Sequence, residues 1–150
     1  MNHRQRMLAG LPYQAGLDGL PQERLEARKL TYAFNHLPPE QQEEAVSILK
    51  RLFGRTGREL WVEAPFHCDY GYNIHMGEGS FVNFDCVFLD LAPIRIGCGT
   101  LIGPKVQLLT AHHPFDATTR GTALEAGKPI VIGDHCWLGG GVIVCPGVTI

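Results

Sequence analysis

No run of 18 apolar residues occurs anywhere in the 150-residue chain, so a membrane-spanning helix is excluded. Clustered positive charge is also missing. Lysine and arginine total 13 against 15 acidic residues, for a net charge of −2, and nucleic-acid binding needs a basic face that phosphates can neutralise. The most basic pieces, Arg4, Arg6, Arg24, Arg28, Lys29, Lys50 and Arg51, are interleaved with glutamates and read as solvated helix surface. The five cysteines at 68, 86, 98, 136 and 145 form no CxxC pair and are odd in number, which argues against a secreted disulfide framework. The opening residues MNHRQRML contain no signal-peptide apolar core. A reducing cytoplasm is therefore the expected compartment, with Cys86 and Cys136 acting as small packing residues. No serine or cysteine sits with a histidine in a recognisable nucleophile motif, which disfavours covalent catalysis by such a side chain.

What the chain does have is a beat of six. Ile96, Ile102 and Leu108 keep that interval, and so do Ile132, Leu138, Val144 and Ile150. Glycine follows four of them at 97, 103, 133 and 139, and Thr100, Val106, Cys136, Val142 and Val148 recur four places after an aliphatic residue. Hexapeptide repeats of this kind specify a β-helix. Each hexad makes a short strand and a corner, and three hexads return the chain above its start, so an inward side chain is expected to stack on one 18 residues away. A β-sandwich also alternates, but its turns fall irregularly at about 8 to 12 residues, and seven aliphatic positions here hold one period.

Residues 1–57 read as a small helical cap and residues 58–150 as the coil. A short helix over 4–10 is followed by ERLEARKLTYAFNHL, in which Leu25, Arg28 and Tyr32, with Ala27, Leu30 and Phe34, form the expected buried stripe. Pro39 is placed to begin the next helix, which carries Ala45, Ile48, Leu49, Leu52 and Phe53 on one face and stops at Gly54. The cap is too short to hold a core alone and should pack on the coil. Met76, Val82 and Phe88 extend the beat, but the next step, to Ile96, is eight. Ala92 and Pro93 account for the two extra residues, leaving Asp90 at a corner with its carboxylate turned outward. A longer loop, at about 111–129, leaves the coil after Leu108 and rejoins it near Ile130; long loops in compact domains are usually functional or disordered.

His112 and His113 stand where that loop departs, and the following Pro114 biases His113 to an extended backbone. Imidazole suits general base catalysis near neutral pH, although a lone histidine is equally well read as a surface or structural residue. LLTAHHPFD, FHCDYGYNIHMG, FVNFDCVFLD, GKPIVIGDHCWLGGGVIVCPGVTI and MLAGLPY, with the leader ERLEARKLTYAFN, together resemble the hexapeptide-repeat sugar O-acetyltransferases of the galactoside, maltose and nodulation-factor type.

The resemblance spans essentially the whole chain. It implies a homotrimer of left-handed parallel β-helices with active sites between subunits, acetyl-CoA as donor, a sugar hydroxyl as acceptor and no metal. Carried over by motif, His113 is the general base for direct transfer, Asp69, Asn83 and Asp90 face the acceptor, and Trp137 and Gly140 belong to the donor side. The indole would lie along the CoA arm, and the Gly140 N–H would meet the thioester oxyanion. Asp18 is displaced from the family's acidic leader segment, and the sequence stops at Ile150, the first residue of a new hexad. The alternative is therefore a truncated trimeric scaffold with little or no activity. A γ-type carbonic anhydrase, built on a similar coil, needs three zinc-binding histidines, and His67, His75, His112, His113 and His135 show no such pattern.

Overall fold

The computed structural model describes all 150 residues. Its centre is a triangular prism of three parallel four-stranded sheets, each contributing one strand per coil. The first face holds Arg55–Thr56, Ile74–Met76, Ile94–Ile96 and Ile130–Ile132; the second holds Trp61–Val62, Phe81–Val82, Leu101–Ile102 and Trp137–Leu138; the third holds Phe66–Cys68, Cys86–Leu89, Gln107–Leu109 and Ile143–Val144. This is the hexapeptide β-helix. Its first strand already pairs at Arg55 and Thr56, ahead of the expected start at 58.

The sixfold residues from Met76 to Val144 point inward, whereas Ile150 is 51% exposed. Met76, Ile96 and Ile132 stack on one side, Val62, Val82, Ile102 and Leu138 on the second, and Phe88, Leu108 and Val144 on the third, all buried. Because each coil has few apolar groups, stability comes from stacking one coil on the next. The small positions add a polar ladder inside the wall: Ser80 Oγ donates to the Gly97 carbonyl at 2.6 Å and accepts from Thr100 N–H at 3.0 Å, while Thr100 Oγ1 donates to Gly133 O at 2.7 Å and accepts from Cys136 N–H at 3.2 Å. A hydroxyl can do both at once, so these buried groups cost no unpaired polar atom. Cys86 is fully buried and Cys136 half-buried, and all five thiols are free.

The spacing between coils differs from the expected 18 residues. Arg55 lies opposite His75, Ile74 opposite Ile94, and Ile94 opposite Ile130, which are steps of 20, 20 and 36; only Val131 and Thr149 sit 18 apart. The extra residues all fall at one corner, between the third face and the first, in the segments 69–73, 90–93 and 110–129. The eight-residue step at Ala92 and Pro93 is thus one of three insertions stacked along a single edge of the prism.

The cap closes the lower end. It consists of α1 (His3–Leu8), α2 (Leu20–Asn35) and α3 (Gln42–Leu52). The lowest strand of the third face would otherwise expose unpaired backbone, a hazard at any sheet edge. Asn35 covers it: its amide nitrogen donates to Phe66 O at 2.9 Å and its oxygen accepts from Phe66 N–H at 2.8 Å. From α3, Ile48, Leu49 and Leu52, followed by Phe53, enter the same core as the coil residues, and Phe53, Phe66 and Phe88 meet edge to face at 5.5 and 5.1 Å. That helix begins at Gln42, three residues after Pro39.

On α2 the buried stripe is Leu20, Ala27, Thr31 and Phe34, while Leu25, Arg28 and Tyr32 face outward. The helix is rotated relative to the expected stripe because Phe34 and Ala27 fit the coil end, whereas Leu25 and Tyr32 lie on its other side. No helix is long and apolar enough to cross a membrane.

Candidate active site

The corner that collects the insertions also collects the chemistry. In the lowest coil it carries Asp69, Tyr70 and Gly71, where a left-handed φ of +79° suits glycine and a β-carbon would strike the Leu52 carbonyl. In the next coil it carries Asp90. Here the structure corrects an expectation: the Asp90 carboxylate does not reach outward but is fully buried. Its Oδ1 accepts from the N–H groups of Asp69 at 3.1 Å and Tyr70 at 2.8 Å, its Oδ2 accepts from Asn73 N–H at 3.2 Å, and Asn73 Nδ2 donates to its carbonyl at 2.8 Å. The inserted turn has no ladder partner for these amides, so one side chain takes all three. Asp90 braces the corner and is closed to an acceptor. Burial raises its carboxyl to about 7, with the Asp69 charge adding to the rise and the Tyr70 and Asn73 amides opposing it.

Asp69 keeps partial exposure. Burial, then the charge of Glu125, lifts its carboxyl from the ordinary 3.8 to about 6, against the pull of Arg24 and Arg28. A carboxyl whose pKa rises on folding binds its proton more tightly in the folded chain, so this group's contribution to stability falls as pH climbs from about 4 to about 6. Asp69→Asn is expected to flatten that part of the stability profile and to raise the melting temperature at pH 8, measured by thermal unfolding across pH.

In the third coil the same corner opens into the loop. Ala111–His112 and Leu124–Gly127 form an antiparallel pair, α4 (Ala117–Arg120) lies between them, and Tyr13–Gln14 of the leader adds a third strand. The loop is therefore strapped to the cap. The buried Tyr13 hydroxyl donates to Glu125 Oε1 at 2.6 Å, and burial with that carboxylate raises the phenol's pKa. Tyr13 packs with Met7, Leu20, Tyr70 and Leu91 in a small cluster behind the corner, and Arg24 Nη1 donates to Tyr70 Oη at 2.8 Å. His112 pairs with Ala126, and His113 and Glu125 each lie one residue beyond that pair. The His113 imidazole is exposed and its ring nitrogens enter no hydrogen bond within the chain.

The other expected residues lie elsewhere. Asn83 follows the second-face strand Phe81–Val82, half-buried, with its Oδ1 accepting from Phe84 N–H at 2.8 Å. Gly140 sits two coils above at the same second-to-third corner, and its N–H makes no backbone hydrogen bond. Trp137 projects from the second face, 79% exposed. Within one chain, then, His113 and Asp69 occupy one edge of the prism, and Asn83 and Gly140 another. The third face separates them by on the order of 15 Å, four extended residues and a corner. Sequence reasoning missed Tyr13, Arg24 and Glu125, which carry no repeat signal. No group of three or more His, Cys, Asp or Glu converges closely enough to hold a metal ion.

Known proteins share this fold. The maltose acetyltransferase hexapeptide capping motif matches residues 6–57, which hold most of the cap and the first coil strand. Nodulation protein L of Rhizobium meliloti is 42% identical over 146 residues, covering 97% of this chain and 80% of that protein. Among solved structures, a maltose O-acetyltransferase from Clostridium difficile 630 superposes with a TM-score of 0.98 at 46% identity, covering 99% of this chain and 80% of the other. A galactoside acetyltransferase in complex with coenzyme A superposes with a TM-score of 0.95 at 36% identity, covering 99% and 74%. With this coverage and identity in both sequence and fold, the chain belongs to the hexapeptide-repeat acetyltransferases of the maltose and galactoside O-acetyltransferase type.

Proposed function

We propose that the protein transfers acetyl from acetyl-CoA to a sugar hydroxyl in a ternary complex, with His113 as general base. The neutral imidazole takes the proton as the hydroxyl oxygen attacks the thioester carbonyl. A new C–O bond forms, the C–S bond breaks, and the proton passes on to the departing CoA thiolate. Positioning of two bound substrates contributes much of the rate, and the unengaged N–H of Gly140 is suited to the oxyanion. The observation that carries this reading is the loop geometry: it holds an exposed, unpaired imidazole at the edge that also carries Asp69 and Glu125. Asp69 and Asn83 are the acceptor-facing residues, since a carboxylate accepts from sugar hydroxyls and an amide both donates and accepts. Asp90 has no such part.

The division of the site between two edges supports a homotrimer. A second copy, rotated so that its second-to-third corner meets the loop edge of the first, would bring Asn83, Trp137 and Gly140 to His113. The second face offers the apolar surface for such packing: Trp61, Phe81, Leu101 and Trp137 stand in register, and Trp61, Leu101 and Trp137 are exposed. Exposed apolar ladders of this size mark interaction surfaces. We place the enzyme in the cytoplasm, a reducing compartment in which its five free thiols persist.

The test is release of free CoA thiol from acetyl-CoA with a panel of sugars. Release that depends on the sugar supports the reading. A folded protein that binds neither CoA nor sugar would instead support an inactive scaffold, and activity dependent on bound zinc would point to carbonic anhydrase chemistry.

A further inference from the structure

The outward side of α2 presents Arg24, Arg28, Tyr32 and His36 at four-residue intervals, one above the other. At its upper end Arg24 and Arg28 act on Asp69. At its lower end the Tyr32 and His36 rings stack, with centroids 4.0 Å apart and planes at 25°. The stack is fixed by a hydrogen bond of 2.8 Å between His36 Nδ1 and the Tyr32 carbonyl. A carbonyl only accepts, so Nδ1 carries the proton and Nε2 is left free for an outside partner. Tyr32 is 67% exposed, a large flat ring backed on one face by His36.

Between this helix face and the coil runs a groove of about 450 Å³, lined by Arg28, Tyr32, His36, His67, Asp69 and Leu89 among others. It starts at a carboxylate of the candidate site and leads away from it along the helix. Its lining excludes other ligand classes. Arg28 is balanced by Asp69, so the groove does not select an anion, and its few apolar groups do not suit an acyl chain. A rigid aromatic face rimmed by donors and acceptors suits a pyranose ring, which has apolar C–H faces and a hydroxyl edge.

We propose that this groove is a second sugar subsite, so that the acceptor is an oligosaccharide whose neighbouring ring stacks on Tyr32 while its reacting ring lies beside Asp69. The proposal rests on the sugar-acceptor reading and narrows it to acceptors of two or more rings. Arg28 and His67 then hydrogen-bond the second ring's hydroxyls, and His36 supports the platform from below.

Calorimetric titration of the intact enzyme with glucose, maltose and maltotriose, and with cellobiose and cellotriose, tests this apart from catalysis. In at least one series, binding should tighten about tenfold from one ring to two. Tyr32→Ala should remove that gain while leaving glucose binding within about twofold, and Tyr32→Phe should retain it. Length-independent binding in both series, or a gain that survives Tyr32→Ala, overturns the subsite. Thiol release from acetyl-CoA with the same sugars separates the two claims: length-dependent binding without release would leave the subsite standing and remove the acetyl-transfer reading.

Discussion

Replacing His113 with alanine is expected to lower sugar-dependent acetyl transfer by about 10²- to 10⁴-fold, the usual worth of a positioned general base and roughly 3 to 5 kcal/mol of barrier. The loss should fall on kcat. The imidazole is exposed and bonded to nothing in its own chain, so its removal leaves no cavity and no stranded partner, and unfolding should be unchanged within about 0.5 kcal/mol. KM for both substrates should move little, because a base acts on the proton in flight rather than on the resting complex. Added imidazole should restore part of the rate by entering the vacated space. A variant with undiminished kcat would remove His113 from the mechanism, and one that unfolds would mean the residue holds the loop.

Asp90→Ala should behave in the opposite way. It strands the N–H groups of Asp69, Tyr70 and Asn73 inside a closed corner, and a buried donor left without an acceptor costs about 1–3 kcal/mol. Together the expected loss is on the order of 3–5 kcal/mol, a large part of the 5–15 kcal/mol that separates folded from unfolded domains. Denaturant unfolding reads it directly as a lower midpoint. Asp90→Asn should fall between the two, since one amide oxygen can still accept while the NH₂ group faces other donors. An acceptor-binding role for Asp90 predicts another pattern: a raised KM for the sugar with stability untouched.

The contrast between these two residues shows how much of the molecule its sequence discloses. The aliphatic beat was readable because every coil places its inward side chains in the same surroundings, so one environment is written repeatedly at one spacing. Ile96, Ile102 and Leu108 announce the prism before any coordinates exist. The coil spacing escapes a sequence reading because the insertion at 69–73, Asp69, Tyr70, Gly71, Tyr72 and Asn73, looks like the strand residues beside it. The orientation of Asp90 is hidden for a local reason: an acid at a corner has the same sequence signature whether it faces solvent or caps three amides. Two stripes on α2 are amphipathic enough to compete, and only the shape of the coil end selects Leu20, Ala27, Thr31 and Phe34 over Leu25 and Tyr32. Tyr13 and Glu125, 112 positions apart, meet through a side sheet that no periodicity foretells. His113 was legible as a histidine before a proline at the mouth of a loop, and its proposed role came from resemblance.

The proposed site is assembled from two edges of the prism contributed by different subunits. Mixing subunits tests it most directly: His113→Ala and Asn83→Ala proteins, each with little activity alone, are dissociated, combined in equal amounts and allowed to reassociate. If one subunit supplies His113 and its neighbour Asn83, random reassembly leaves about a quarter of the sites with both groups intact, and sugar-dependent thiol release should return to about that fraction of the native rate. Reassociated mixtures that stay as inactive as their parents would contradict a shared site.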